Sequence, residues 1–326
     1  LEEVEEAFRA ATRALIRVNT MDCLYKAESQ RTNRIGVGMT GVHEFAWKFF
    51  QVGFRDLIAP DWAGHFAHSN FADGVTMGAK DRAAAFWLFL KKMSDAVKEE
   101  AATYSKHLGV KTPHTVTTIK PAGTTSKLFG LTEGWHLPAM AYYMRWVQFR
   151  SDDPLVEKYR ASGYPTRSLK TYEGTTIVGF PTAPTISTLG MGDKLVLAGD
   201  ATPEEQYQWL MLGERFWIGE EQGNQISYTL KYDPTKVDFK HYAEMMKKYQ
   251  RQIKCCSVMP QEDETGYEYL PEERISEQEY DYALFRIENV LQEEISREHV
   301  GCDNGACPID FKDRANADQG DSSRAA

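Results

Sequence analysis

Short β-prone runs alternate with stretches of helical periodicity along most of this chain, and that alternation limits the fold more than any other feature of the sequence. The run ending in VTTIK just before Pro121, YMRWVQFR at 143–150, TTIVGF at 175–180 and QISYTLKY at 225–232 read as strands. Residues 1–18 and much of 79–108 carry apolar residues at helical spacing. A third helix should open at Thr202, with Pro203 and two glutamates in its first turn, and feed the QISYTLKY strand. A capping box at Ser276–Glu279 predicts a fourth helix running to about residue 298. Strand and helix in turn predict an α/β fold with a mainly parallel sheet or barrel.

Composition agrees and removes several classes of function. At 326 residues, 42% hydrophobic and 12% aromatic, the chain can bury the core of one large domain or two small ones. Its longest apolar run, AAAFWLFL at 83–90, is far short of the ~20 residues of a membrane span. The acidic, amphipathic LEEVEEAFRA start does not read as a signal peptide, and the missing initial Met leaves room for upstream sequence. With a net charge of −9 and scattered basic residues, a nucleic acid polymer is not the expected partner, although a single nucleotide could be. Five cysteines with no even framework point away from a disulfide-stapled secreted protein, so the expected location is cytoplasmic.

Four motifs could carry chemistry. In TTIKPAGTTSKLFG (117–130) a β-prone run stops at Pro121, Gly123 permits a tight turn, and Thr124, Thr125 and Ser126 stand where a helix can open. Free N–H groups and hydroxyls at such a place attract an anion such as a phosphate; a Thr-rich cap that binds nothing is the plain alternative. GVGMTG at 36–41 spells G-x-G-x-x-G, but the polar AESQRTNRI precedes it. A dinucleotide site needs a hydrophobic strand there, so no strand is expected before Gly36, and the glycines should serve close packing ahead of a helix, GVHEFAWKFF. Cys255 and Cys256 in QIKCCSVMP read as small apolar residues of a buried strand, and the histidines, His43 included, do not fall into a metal-binding pattern. Cys302 and Cys307, in GCDNGACPID on a polar tail, are spaced so that the sulfurs can meet. A loop so short stabilises little, and thiol–disulfide exchange explains the pair better than idle surface thiols.

Taken together, TTIKPAGTTSKLFGLTEGWH, AYYMRWVQFRSDDPLVEKYRASGYP, RTNRIGVGMTGVHEF, QGNQISYTLKY and GCDNGACPID resemble the carboxy-terminal half of a ribonucleotide reductase catalytic chain, most of all the monomeric adenosylcobalamin-dependent ribonucleoside-triphosphate reductases. The resemblance implies the second half of a ten-stranded α/β barrel, a parallel five-stranded half-barrel over 1–299, followed by a flexible redox tail over 300–326. It implies that Pro121, Ala122, Gly123, Thr124, Thr125 and Ser126 form the turn that holds the substrate's phosphates. It implies that Cys302 and Cys307 re-reduce an active-site disulfide and are themselves reduced by thioredoxin. The implied chemistry is reduction of the ribose 2′ position by a cysteine thiyl radical, generated with adenosylcobalamin.

The sequence departs from the family in one important respect. The Asn-Pro-Cys-Gly-Glu string that carries the radical cysteine in the family is absent, and Cys23 matches none of the family's cysteines. The chain is therefore expected to act with an amino-terminal half, as a fragment or split subunit that is inactive alone. An oxygen-dependent, diphosphate-reducing class is a rival reading, but its adjacent Tyr-Tyr relay is missing: Tyr267 and Tyr269 are not adjacent, and Tyr142–Tyr143 lie too early. A nicotinamide oxidoreductase using GVGMTG would be a different kind of enzyme, and a non-catalytic subunit that only completes a barrel would not be an enzyme at all.

Overall fold

The computed structural model describes residues 1–22, 24–59, 78–260 and 266–290, with side chains through Ile287. The chain opens with α1 (Glu2–Thr20), which has Glu2, Glu3 and Glu5 in its first turn and Arg17 in its last, charges that complement the helix dipole. After α2 (Lys26–Thr32) and a left-handed Asn33 comes a four-residue strand, β1 (Arg34–Val37). The glycine motif leads into α3 (Val42–Phe45), a π turn over Ala46–Phe50, and α4 (Phe54–Ile58). The long α5 (Ala79–Leu108) buries Ala83, Phe86, Trp87, Leu90, Met93, Val97 and Ala101, a helical stripe, and stops at Gly109 with φ +69°. Salt bridges from Arg9 and Arg13 to Glu100 fasten α1 to it.

The buried strand β2 (Thr115–Ile119) runs into α6 (Gly123–Leu128), and β3 (Tyr143–Arg150), α7 (Pro154–Ala161), β4 (Thr166–Ser168) and β5 (Thr175–Thr182) follow. Next come α8 (Pro203–Gly213), capped by reciprocal Thr202 and Glu205 bonds, and a π turn over Glu214–Ile218. The last elements are β6 (Gly223–Ile226), β7 (Thr229–Tyr232), α9 (Phe239–Tyr249), β8 (Ser257–Pro260), β9 (Glu272–Arg274) and α10 (Glu277–Val290).

Within the range read as one half-barrel, the chain forms two compact units. The first comprises residues 1–143 and 182–266. Its strands pair in parallel, in the order β1-β2-β6 and, in a second sheet, β7-β8, with helical crossovers between partners. Trp87, Trp135, Trp209 and Trp217 are fully buried in its core. The second unit comprises 144–181 and the described residues from 267 onward. It contains β4, β5, β9 and nearly all of β3, in the sheet order β4-β5-β3-β9; β4 and β5 are antiparallel. The α/β class therefore holds, with parallel pairing in the first unit and an antiparallel pair in the second.

Three local expectations change. QISYTLKY is not one strand: it is divided at Ser227–Tyr228 between β6 and β7, which belong to different sheets. Ser227 N–H still reaches the Ile119 carbonyl while Thr229 N–H turns to His136, so the chain changes direction there. A strand does form at Gly36. Ile35 and Val37 face inward and Arg34 outward, so pairing with β2 supplies what the polar sequence lacks in strand propensity. Finally, Cys255 and Cys256 precede β8 and are half-buried free thiols, not members of a buried strand. Cys256 packs against the core, and burial pushes its thiol up to about 11, a poor setting for exchange.

Candidate functional site

The carboxyl end of β2 builds the site. Strand pairing ends at Ile119, Pro121 cannot continue it, and Ala122 takes a left-handed conformation, φ +52°, that turns the chain into α6. Because Ala122 offers no side-chain cap, the N–H groups of Gly123, Thr124 and Thr125 are the orphan donors of a first helical turn. Thr124 and Thr125 are exposed. Ser126 is different: it is fully buried, its N–H bonds the Ala122 carbonyl at 2.8 Å, and its hydroxyl bonds the Gly123 carbonyl at 3.3 Å. Ser126 thus holds the turn together, while the N–H groups of Gly123, Thr124 and Thr125 have no intrahelical partner and the two threonines are exposed.

The segment after α6 returns beneath the turn. Leu131 N–H bonds the Ser126 carbonyl, and the Glu133 carboxylate pairs with Lys127 at 3.4 Å. That carboxylate also lies 3.5 Å from where a Gly123 Cβ would be, so it contributes negative charge beside the orphan donors. Gly134, at φ +54°, passes so close to the Lys120 carbonyl that any Cβ would collide with it. Trp135 stacks on Trp209 with centroids 4.2 Å apart, and each indole N–H donates to the other residue's carbonyl. His136 receives the Thr229 N–H on Nε2 and places Nδ1 against the Glu133 carbonyl, the arrangement of a neutral ring. Burial lowers its pKa in the same sense.

The glycine motif backs this segment. Gly36 and Gly38 lie on Thr118, where a Cβ at Gly38 would stand 2.9 Å from the Thr118 carbonyl oxygen. Gly41 N–H is taken by the Thr132 carbonyl at 3.0 Å and its Cα faces Leu131. A donor a dinucleotide would need is therefore used by the chain itself. From α3, the buried Glu44 carboxylate accepts the Thr132 N–H at 2.8 Å and its hydroxyl at 2.6 Å. His43 is buried and stacks on Trp209 at 5.1 Å; desolvation holds its pKa down at about 4.

The structure thus brings Pro121–Ser126 together with residues to which the sequence motifs gave no role here: His43, Glu44, Thr132, Glu133, Gly134 and His136. The available signal was the two strings GVHEF and TEGWH, one after each glycine-bearing turn. Cys302 and Cys307 lie outside the described residues, as does Cys23. Among the described residues, the groove between α1 and Gly38, about 410 Å³ and lined by Glu3, Val4, Ala7, Phe8 and Ala11, is mostly apolar. It offers no polar cradle for a large nucleotide-bearing cofactor. No described helix is long and apolar enough to cross a membrane.

Comparison with known proteins bears out the resemblance read from the motifs. The chain is 25% identical, over 94% of its length, to the adenosylcobalamin-dependent ribonucleoside-triphosphate reductase of Lactobacillus delbrueckii subsp. bulgaricus, and 26% identical, over the same share, to that of Lactobacillus acidophilus. The Euglena gracilis enzyme of the same name matches 67% of the chain at 26% identity and 30% of its own length. The chain spans 41% of the length of the two bacterial relatives, about two-fifths. Among solved structures, a crystal structure of a B-12-dependent (class II) ribonucleotide reductase matches with a TM-score of 0.68 and 24% identity, covering 88% of this chain and 38% of that one, which establishes a shared fold. No protein-family model matches the sequence.

Proposed function

We propose that this chain forms part of the catalytic barrel of an adenosylcobalamin-dependent ribonucleoside-triphosphate reductase and that its β2–α6 turn holds the substrate's phosphates. The observation that carries the proposal is the turn itself: three orphan N–H donors at Gly123–Thr125, positioned by Pro121, Ala122 and Ser126 at the end of a buried parallel strand. Its setting supports the reading, since relatives with that activity match 94% of the chain. A triphosphate suits such a turn because backbone N–H groups and a helix amino end offer fixed dipoles that need no reorganisation. Lys127 offsets the charge of Glu133 beside it. The parallel pairing of β1, β2, β6, β7 and β8 supports a half of a ten-stranded barrel, the relatives' remaining length supplying the other half.

The turn's work is positional. Anchoring the phosphates fixes the ribose against groups carried by the remainder of the barrel, where a small displacement would cost much of the rate. In this reading adenosylcobalamin belongs to the assembled enzyme, where it would supply the radical. Reduction of the ribose consumes two electrons from a dithiol, which becomes a disulfide. In this reading the Cys302–Cys307 pair attacks that disulfide as a thiolate, passes its two electrons across and becomes a disulfide that thioredoxin reduces in turn. Such an enzyme is expected in the cytoplasm.

The test is nucleotide binding by the full chain and by Thr124→Asp. Thr124 is exposed, so the variant should keep its thermal midpoint while its carboxylate, repelling a bound phosphate, weakens triphosphate affinity by about tenfold or more. Equal affinity in the two proteins would remove the phosphate from this turn.

A further inference from the structure

The glycine motif and the phosphate turn are tied by one buried carboxylate. Glu44 is 3% exposed and makes no ion pair among the described residues; its two oxygens are satisfied by the N–H and hydroxyl of Thr132. A buried acid without a cation is costly unless its hydrogen bonds are well formed, so this geometry is tightly constrained. The remaining polar group of Thr132, its carbonyl, receives the Gly41 N–H at 3.0 Å and the Thr40 hydroxyl at 2.5 Å. All three polar groups of Thr132 are thus held by residues 40–44. Its neighbours reach α6: Leu131 N–H bonds the Ser126 carbonyl, and Glu133 pairs with Lys127.

We propose that Glu44 is a positioning residue for the phosphate turn: by holding Thr132 it braces the segment against which the amino end of α6 is set. The inference rests on the phosphate reading of that turn and assigns a task to GVGMTGVHEF in place of dinucleotide binding. Glu44 acts through Thr132 and touches no reacting atom.

Two measurements on the full chain test it. The first is amide hydrogen exchange over residues 123–136 with no ligand present. In Glu44→Ala, exchange there should quicken by about tenfold to a hundredfold, the loss expected when two buried hydrogen bonds are removed, while peptides from α1 keep wild-type rates. The second is affinity for inorganic tripolyphosphate, which should weaken by at least about tenfold in Glu44→Ala, because the donors are then no longer held in place. Glu44→Gln can still accept the Thr132 N–H and donate to its hydroxyl, so it should restore both readouts to within about threefold. Should Glu44→Ala not fold, Thr132→Val, which loses only the hydroxyl, should show the same local pattern at several-fold size.

Unchanged exchange over 123–136 in Glu44→Ala, or in Thr132→Val if that variant is used, overturns the brace whatever the wild type binds. Glu44→Gln failing as badly as Glu44→Ala also overturns it, since charge rather than geometry would then be what matters. Quickened exchange with undiminished tripolyphosphate affinity overturns the link between brace and turn. A wild-type chain that binds no tripolyphosphate, with exchange behaving as described, defeats the phosphate reading and leaves Glu44 as the holder of a segment of other use.

Discussion

Lowering the pH should destabilise this protein through His43, and the structure sets both the window and the size of the effect. The imidazole is buried against Trp209 and Phe54, and its Nε2 has no hydrogen-bond partner among the described residues. Protonation would place an N–H⁺ with no acceptor among aromatic rings. Desolvation accordingly lowers the folded pKa from 6.5 to about 4. Between those values the unfolded chain takes up a proton that the folded chain refuses, so stability is fully present above pH 6.5 and is lost as pH falls toward 4. Linkage gives a loss of about 2 kcal/mol by pH 5 and about 3 kcal/mol by pH 4. Urea unfolding at pH 7 and pH 5 of the wild type and of His43→Gln is the assay, because other titrating groups, including the similarly depressed His136, are common to both. The wild type should lose about 2 kcal/mol more than the variant over that interval. Identical losses, or an imidazole NMR titration of His43 centred near 6.5, would refute the reasoning.

Three other perturbations probe the site. Glu133→Gln removes a negative charge beside the orphan N–H groups, so tripolyphosphate should bind about threefold to tenfold more tightly in calorimetry, with the gain shrinking in high salt. Gly134→Ala puts a Cβ into the Lys120 carbonyl at a positive φ and should cost about 3 kcal/mol by urea unfolding; a cost under about 0.5 kcal/mol would mean that the segment does not pass under the strand as described. Cys302→Ser in the assembled enzyme should abolish turnover driven by thioredoxin while a small dithiol still supports it, and undiminished thioredoxin-driven turnover would end the shuttle assignment.

The elements that announced themselves in sequence are those whose stability is local. The acidic first turn of α1, the apolar stripe of α5, the Thr202–Glu205 and Ser276–Glu279 boxes and the Pro121 stop all act within a few residues, and all four helices and β2 form where expected, residues 291–298 of the last helix lying outside the described residues. What stayed hidden depends on partners distant in sequence. β1 exists because Ile35 and Val37 meet β2, about eighty residues away, and β6 and β7 separate because Ile119 and His136 pull Ser227 and Thr229 different ways. The same holds for the site. TTIKPAGTTS showed its turn and its donors, since a β run, a proline, a glycine and hydroxyl residues are local signals. The partnership of Glu44 with Thr132, 88 residues apart, left only the string GVHEF as a trace. Ser126 looked like one more hydroxyl for an anion, whereas the fold turns it inward.

Whether this chain completes a cobalamin-dependent reductase is decided most directly by deoxynucleotide formation from a ribonucleoside triphosphate, using this chain combined with the remainder of the reductase polypeptide, with and without adenosylcobalamin, thioredoxin serving as reductant. Product should form only when both parts and the cofactor are present, and most of it should be lost, through a raised KM, in Thr124→Asp. Absence of product from parts shown to bind each other, or product formed without adenosylcobalamin, would contradict the assignment.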